Sequence, residues 1–419
     1  MPISKIMIAV AALSAGHVMA ATAPANIAIS SGASASKNNL KIVLQSLCGS
    51  NTFTEYTDGT SNVSTYVCST GGTDYASSSP VNFTGTAFAE LRMNVNGGSF
   101  TAACLLANWP AGTSFPVADQ YWDPAAAGMA AAPTGSVVVG GLMDVEPTAF
   151  LQSVRSGITT PTSVISAKFG QAFGVAVSGA LYSAMFADQQ SKLGQGCTET
   201  AYSRPECVPV IGKAQMATIM AGGGGNAAYV KGANFLAPSQ LAAGTQLTYA
   251  RRVDTSGTQA SAQQYFLGNV CNTNGITVVG AGASAGAITV TALPTTGGVR
   301  TLLNTAGSYV VGIMSGENNQ SGQTWKWVRV GGMHMAESAL PNDAAVTFSN
   351  TATALDGRYD YWFLSRVAKP NVTAVNNFWT AVINGFANVP VANTKGLFGV
   401  AETAYTRGTS SACQPITSN

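Results

Sequence analysis

Charged side chains are scarce in this chain. Asp, Glu, Lys and Arg together make up 9% of its 419 residues, against roughly 25% in an ordinary globular domain. The formal net charge is +2, and it falls to +1 if Lys5 is removed with the N-terminal segment described below. A surface so close to neutrality has no field that would attract nucleic acid or an anionic membrane. Neither is therefore expected as a partner.

Histidine is almost absent, which narrows the possible chemistry. The sequence contains two histidines, and only His334 lies beyond the N-terminal segment. His334 stands between Met333 and Met335, where a half-buried structural side chain is a more ordinary interpretation than a catalytic one. The sequence has no HExxH motif and no CxxC pair. We therefore expect no enzymatic activity, no bound metal and no cofactor.

Long apolar runs are also missing, with one exception at the N-terminus. Lys5 supplies a positive charge, an apolar run extends from Ile6 to Ser14, and Val18-Met19-Ala20 has the small residues of a cleavage site. This pattern predicts a signal peptide over residues 1–20, cut near Ala20. No later run is long and apolar enough to span a bilayer. The chain is predicted to be exported, either periplasmic or secreted.

The cysteines agree with export. All seven lie after the predicted cleavage site, and in an oxidising compartment most of them should be paired. Cys197 and Cys207 flank a short polar loop and form the first predicted disulfide. Cys48 and Cys68 form the second. The odd number leaves at least one cysteine without an intramolecular partner.

Strand and helix patterns alternate along the chain, which predicts an α/β fold with mainly parallel sheets. Residues 136–140 form a continuous β-branched run of the kind found in buried parallel strands. Residues 37–47 and 213–220 have helical patterns, and residues 372–386 form a long amphipathic helix. No internal repeat is visible.

The strongest local motif is Arg-Val-Asp-Thr-Ser-Gly-Thr at residues 252–258. A predicted strand ends here and a helix is expected to begin near Gln259. Unpaired N–H groups in the first turn of a helix favour an anion, and Ser256, Thr258 and the planar fork of Arg252 add donors. The alternative is an ordinary helix cap beside a surface arginine.

Three further positions follow the same strand–turn logic. Ser36 ends a Gly-Ala-Ser-Ala-Ser turn before the predicted helix at Lys37, and Ser99 ends a Gly-Gly-Ser turn. Asp144 follows the buried strand at residues 136–140, at the end of a sheet where ligands bind in open α/β folds. Each of the three could instead be a simple helix cap. Together they suggest one site assembled from several strand ends.

In the order of these segments, the chain resembles the phosphate-binding branch of the type 2 periplasmic solute-binding proteins. The motif at residues 252–258 is similar to the ligand loop of that family. The resemblance implies a fold of two α/β lobes joined by crossover strands, residues 21–172 with 330–419 and residues 173–329. It also implies a small anion, phosphate first, as ligand. The residues that it places around the ligand are Ser36, Ser99, Asp144, Arg252, Ser256, Gly257 and Thr258.

The resemblance also implies the setting in which the protein works. Proteins of this family are monomers that deliver their ligand to the permease of an ABC transporter, so such a permease is the expected protein partner. Residues 53–82 and 109–134 are insertions relative to the family pattern. The alternative is a secreted or surface protein with a structural or adhesive role, which would use the same fold without transport.

Overall fold

The computed structural model describes residues 27–58, 62–69, 88–96, 98–100, 104, 107–108, 121–133, 135–156, 163–202, 204–222, 232–268, 278, 280, 284–285, 287–320, 322–335, 352–388, 397–399, 405–407 and 416–418. The predicted signal peptide lies outside these residues, as do large parts of the two predicted insertions. Within them, strands and helices alternate in a mixed α/β fold, which confirms the predicted class.

The strands are short except for β8, which runs through the middle of the chain. They are β1 Ile27–Gly32, β2 Thr52–Thr57, β3 Val63–Ser69, β4 Glu90–Asn94, β5 Tyr121–Asp123, β6 Gly128–Ala130, β7 Val137–Met143, β8 Val164–Val177, β9 Val210–Ile211, β10 Leu247–Arg252, β11 Ser284–Ala285, β12 Ile288–Leu293, β13 Val310–Ser315, β14 Lys326–Val330, β15 Trp362–Ala368, β16 Leu397–Gly399, β17 Tyr405–Arg407 and β18 Ile416–Ser418.

The helices lie between the strands. The α-helices are α1 Ser34–Cys48, α2 Gln152–Arg155, α3 Gly179–Gln189, α4 Lys213–Met220, α5 Gly257–Ala262, α6 Thr296–Leu303, α7 Ala352–Leu355 and α8 Thr373–Asn388. Short 3-10 helices cover Pro147–Ala149, Gln190–Lys192, Pro205–Cys207 and Gly232–Phe235. A π-helical turn, Gln263–Leu267, continues α5.

One large mixed sheet organises the described part of the chain, with strand order β11-β12-β10-β13-β8-β15-β7-β1-β4-β3-β2. The neighbours of β1, which are β4 and β7, run parallel to it, and the neighbours of β10, which are β12 and β13, run parallel to β10. Between these parallel groups, β8 and β15 pair antiparallel with each other and with the strands beside them. The sheet therefore has a parallel group of three strands on either side of an antiparallel centre, while the outer strands β11, β3 and β2 pair antiparallel.

Two main clusters of buried apolar side chains support the two parallel groups. The helix α8 shows how the sequence produces one of them. Its buried residues Val375, Phe378, Trp379 and Val382 recur every three or four positions, so they share one face of the helix. The Nε1 of Trp379 also donates to the backbone O of Val139 at 2.6 Å, which ties this face to β7.

Both predicted disulfides are present. Cys48 bonds Cys68 across a separation of 20 residues, and Cys197 bonds Cys207 across a separation of 10 residues. Cys104 is buried and free, while Cys271 and Cys413 lie outside the described residues. Among the helices that the structure describes, none has the length and apolar character needed to cross a bilayer.

Candidate functional site

Three of the predicted loops meet because the strands before them are adjacent and parallel. The strand β1 lies between β4 and β7, so the carboxyl ends of all three strands open on the same edge of the sheet. Ser36 follows β1, Ser99 follows β4 and Asp144 follows β7. The backbone N of Ala33 donates to the O of Leu142 at 2.7 Å, which fastens the first loop to the end of β7.

Asp144 is buried at this edge, with 2% of its surface exposed. Its backbone N donates to the Oγ of Ser99 at 3.1 Å, so these two predicted residues are in direct contact. The Oδ1 of Asp144 is buried and has no hydrogen-bond partner. The helix that follows begins after Glu146, and no side chain caps it. The alternative role of Asp144 as a helix cap is therefore wrong.

The motif at residues 252–258 follows β10, in the second parallel group of strands, and packs directly onto the loops that follow β4 and β7. A Cβ atom placed on Gly257 would lie 2.7 Å from the Cβ of Asp144 and 2.8 Å from its Oδ2, a distance that only a glycine permits. Gly98 approaches Thr255 equally closely, with 2.7 Å between a built Cβ and the O of Thr255. The backbone N of Phe100 also donates to the O of Thr255 at 3.3 Å. The structure thus brings together loops from both parallel groups of strands.

Arg252 lies within the protein and not on its surface, with 3% exposure. Its Nη1 donates to the Oγ1 of Thr296 at 2.6 Å and its Nη2 donates to the O of Pro294 at 2.8 Å, while its Nε is buried without a partner. Burial lowers the pKa of Arg252 to about 10, against the opposing effects of Asp144 and Glu317. The guanidinium is therefore a fixed cation at neutral pH, and the surface-arginine alternative is wrong.

Three hydroxyl groups complete the set predicted from the sequence. Ser256 occupies the position just before α5, where its side chain makes no capping bond. The Oγ1 of Thr258 and the Oγ of Ser36 are both buried and have no hydrogen-bond partner. The helix α1 begins at Ser34 and not at the predicted Lys37, so Ser36 lies inside its first turn. The helix begins earlier because the backbone N of Ala33, the residue just before it, is held by the hydrogen bond to the O of Leu142.

Burial controls the ionisation of Asp144. Removal from water raises its pKa to about 7, and the nearby positive charge of Arg252 opposes this increase only in part. Near neutral pH the carboxyl group is therefore divided between its charged and its protonated forms. The charged form can only accept hydrogen bonds, and the protonated form can also donate one.

A second buried carboxyl group, that of Glu317, was not selected from the sequence. Glu317 follows β13, the parallel neighbour of β10. Its Oε1 accepts from the Oγ of Ser315 at 2.7 Å and the Nδ2 of Asn318 at 3.1 Å, while its Oε2 is buried without a partner. Burial raises the pKa of Glu317 to about 8. Glu317 could have been found from the sequence, because it stands just after a strand, the same position that selected Asp144.

Ser365 is a further residue that the sequence did not indicate. Its neighbour Arg366 pairs with Met143 across β15 and β7, so Ser365 lies opposite the end of β7. The Oγ of Ser365 is buried and has no hydrogen-bond partner. No turn or cap motif surrounds it, because it belongs to a strand that only the tertiary fold places beside Asp144.

Two of the remaining predictions can be compared with the structure. His334 is 3% exposed, so it is fully buried and not half-buried as the sequence predicted. Its backbone O accepts from the Oγ1 of Thr353 at 3.0 Å, as expected of a residue that forms part of the protein framework. Among the described residues, no three His, Cys, Asp or Glu side chains are grouped closely enough to hold a metal ion.

No family model matches the chain, and no curated protein matches it.

Proposed function

We propose that this chain is an exported binding protein that captures a small oxyanion, phosphate first, between two α/β lobes. One observation carries the proposal. Four of the residues selected from the sequence have a buried polar atom without a hydrogen-bond partner in the protein, and these atoms are the Oγ of Ser36, the Oδ1 of Asp144, the Nε of Arg252 and the Oγ1 of Thr258.

Buried polar atoms without partners are expensive. Each costs about 1–3 kcal/mol of desolvation, a cost that a ligand bonded to the atom would remove. A protonated oxyanion would satisfy all four atoms. Its oxygens accept from the two hydroxyl groups and from the guanidinium, and its proton is donated to the carboxylate. Asp144 therefore supports phosphate, which carries such a proton near neutral pH, over sulfate, which does not.

The division into lobes is part of the same proposal. Residues 21–172 with 330–419 would form one lobe and residues 173–329 the other, with β8 and β15 as the crossover strands. The predicted ligand residues are contributed by both segments, since Asp144 belongs to the first and Arg252 to the second. A ligand held between them would draw the lobes together. Delivery to an ABC transporter permease, and a monomeric state, rest on the family resemblance.

Titration with inorganic phosphate tests the proposal. Phosphate should raise the melting temperature with the logarithm of its concentration. Ser36→Ala and Thr258→Val remove hydroxyl groups that bond nothing in the protein, so the fold should tolerate both changes. Each lost bond to a charged ligand should weaken phosphate binding roughly 10- to 100-fold by calorimetry.

Tyr66→Phe is the matched control. It also removes a buried hydroxyl group, but one that lies on β3 within the apolar cluster under the first group of strands. Phosphate affinity should not change in this variant. Arg252 is a less suitable target, because its loss would also remove the bonds to Thr296 and Pro294. An unchanged melting temperature with phosphate, arsenate, sulfate and small carboxylates would contradict the proposal and favour the structural or adhesive alternative.

A further inference from the structure

Glu317 lies just after the carboxyl end of β13 and has a buried carboxyl oxygen without a hydrogen-bond partner. Its Oε1 is held by Ser315 and Asn318, which fixes the orientation of the carboxyl group and leaves Oε2 buried without a partner. Among the described residues, the charged groups that act on Glu317 are Asp144, which follows β7, and Arg252, at the end of β10. The positive charge of Arg252 therefore acts on both carboxyl groups.

The charge of this cluster depends on its protons. With both carboxyl groups ionised the cluster of Asp144, Glu317 and Arg252 carries a net charge of about −1, which repels an anion, and with both protonated it carries about +1, which attracts one. A bound anion also disfavours ionisation of each nearby carboxyl group. The arrangement therefore couples the binding of an anion to the uptake of a proton.

We propose that Glu317 is a second ligand-facing carboxyl group, and that through it the site binds its oxyanion together with a proton taken from the solvent. This inference rests on the proposed function and adds the protonation state of the bound complex to it. The protonated Glu317 donates to a ligand oxygen, and the ionised Glu317 repels the ligand. The burial that raises the pKa of Glu317 to about 8 places this change within the range of physiological pH.

Glu317→Gln tests the inference. The amide of glutamine cannot ionise, but it keeps an oxygen that can accept the hydrogen bonds from Ser315 and Asn318. Inorganic phosphate is titrated by calorimetry into the wild-type protein and the variant between pH 6 and pH 9. The titration of phosphate itself is common to both proteins and cancels in the ratio of their Kd values. At pH 6 the two Kd values should agree within about threefold. At pH 9 the variant should bind about tenfold more tightly, since one proton contributes about a factor of ten per pH unit above its pKa.

Two further variants separate this role from a structural one. Glu199→Gln removes a negative charge from an exposed position, and its ratio of Kd values to wild type should stay constant with pH. Ser315→Ala removes a bond that lowers the pKa of Glu317, so phosphate binding should begin to weaken at a higher pH than in the wild type.

The outcomes are distinguishable. A ratio of the wild-type Kd to the variant Kd that rises with pH for Glu317→Gln, and stays constant for Glu199→Gln, supports the inference. A flat ratio in a protein that does bind phosphate overturns the role of Glu317 and leaves the proposed function standing. No phosphate binding by either protein at any pH overturns both.

Discussion

Replacing Asp144 by asparagine is expected to stabilise the ligand-free protein above pH 7. Burial raises the pKa of Asp144 from 3.8 to about 7 in the folded state, so the folded protein binds this proton more tightly than the unfolded chain does. The contribution of the group to the free energy of unfolding therefore falls as the pH rises from about 4 to about 7, and it remains low above that range.

The magnitude follows from the size of the shift. One pKa unit corresponds to about 1.36 kcal/mol, so a shift of about three units corresponds to about 4 kcal/mol as an upper figure. The amide of asparagine does not titrate and has nearly the same shape as the acid. Asp144→Asn should therefore match the wild type near pH 4 and gain up to about 4 kcal/mol relative to it near pH 9. The attraction of Arg252 is already contained in the shift.

Urea denaturation at several pH values between 4 and 9, in buffers without oxyanions, measures this difference. The two curves of unfolding free energy against pH should diverge between about pH 4 and pH 7 and then run parallel. Equal slopes of the unfolding free energy with urea in both proteins would show that the variant unfolds from the same compact state. Curves that stay parallel over the whole range would refute the assignment of the buried ionisation to Asp144.

Two more predictions concern the surroundings of the site and the stability of the chain. Gly257→Ala should destabilise the protein by about 1–3 kcal/mol in thermal or urea unfolding and weaken phosphate binding, because the new Cβ would clash with Asp144. Gly297→Ala is its matched control in the first turn of another helix, where the nearest atom lies at 3.6 Å, and it should be neutral or stabilising; equal losses in both would contradict the clash. Removal of the Cys197–Cys207 disulfide by a double serine substitution should cost about 2–3 kcal/mol in urea denaturation, since the bond closes a short loop. Peptide mapping without reduction that found either cysteine free would contradict the pairing.

Local patterns were sufficient for many elements of the fold. The β-branched run at residues 136–140 predicted the strand β7, and the apolar spacing in residues 372–386 predicted α8. Both disulfides followed from export and from the short distance between cysteines along the chain. These features depend mainly on residues that are close together in the sequence, so they can be predicted without knowledge of the tertiary structure.

The selection of site residues also followed from local patterns. A hydroxyl or carboxyl side chain just after a predicted strand, together with the family resemblance, selected Ser36, Ser99 and Asp144, and the structure places the strands before them side by side. The rule depends only on the fact that parallel strands end at a common edge. It was not applied after β13, and for that reason Glu317 was missed.

What these residues are able to do was decided by the tertiary structure alone. Whether Asp144 is charged depends on its burial, and its burial depends on Gly257, which arrives from a loop far along the chain. Arg252 is fixed by Thr296 and Pro294, which come from the next strand–helix unit. Pairing between distant strands determines which groups lose water and which find partners. The pattern of neighbouring residues does not contain that pairing, so the sequence could indicate residues of a candidate site but not their charge.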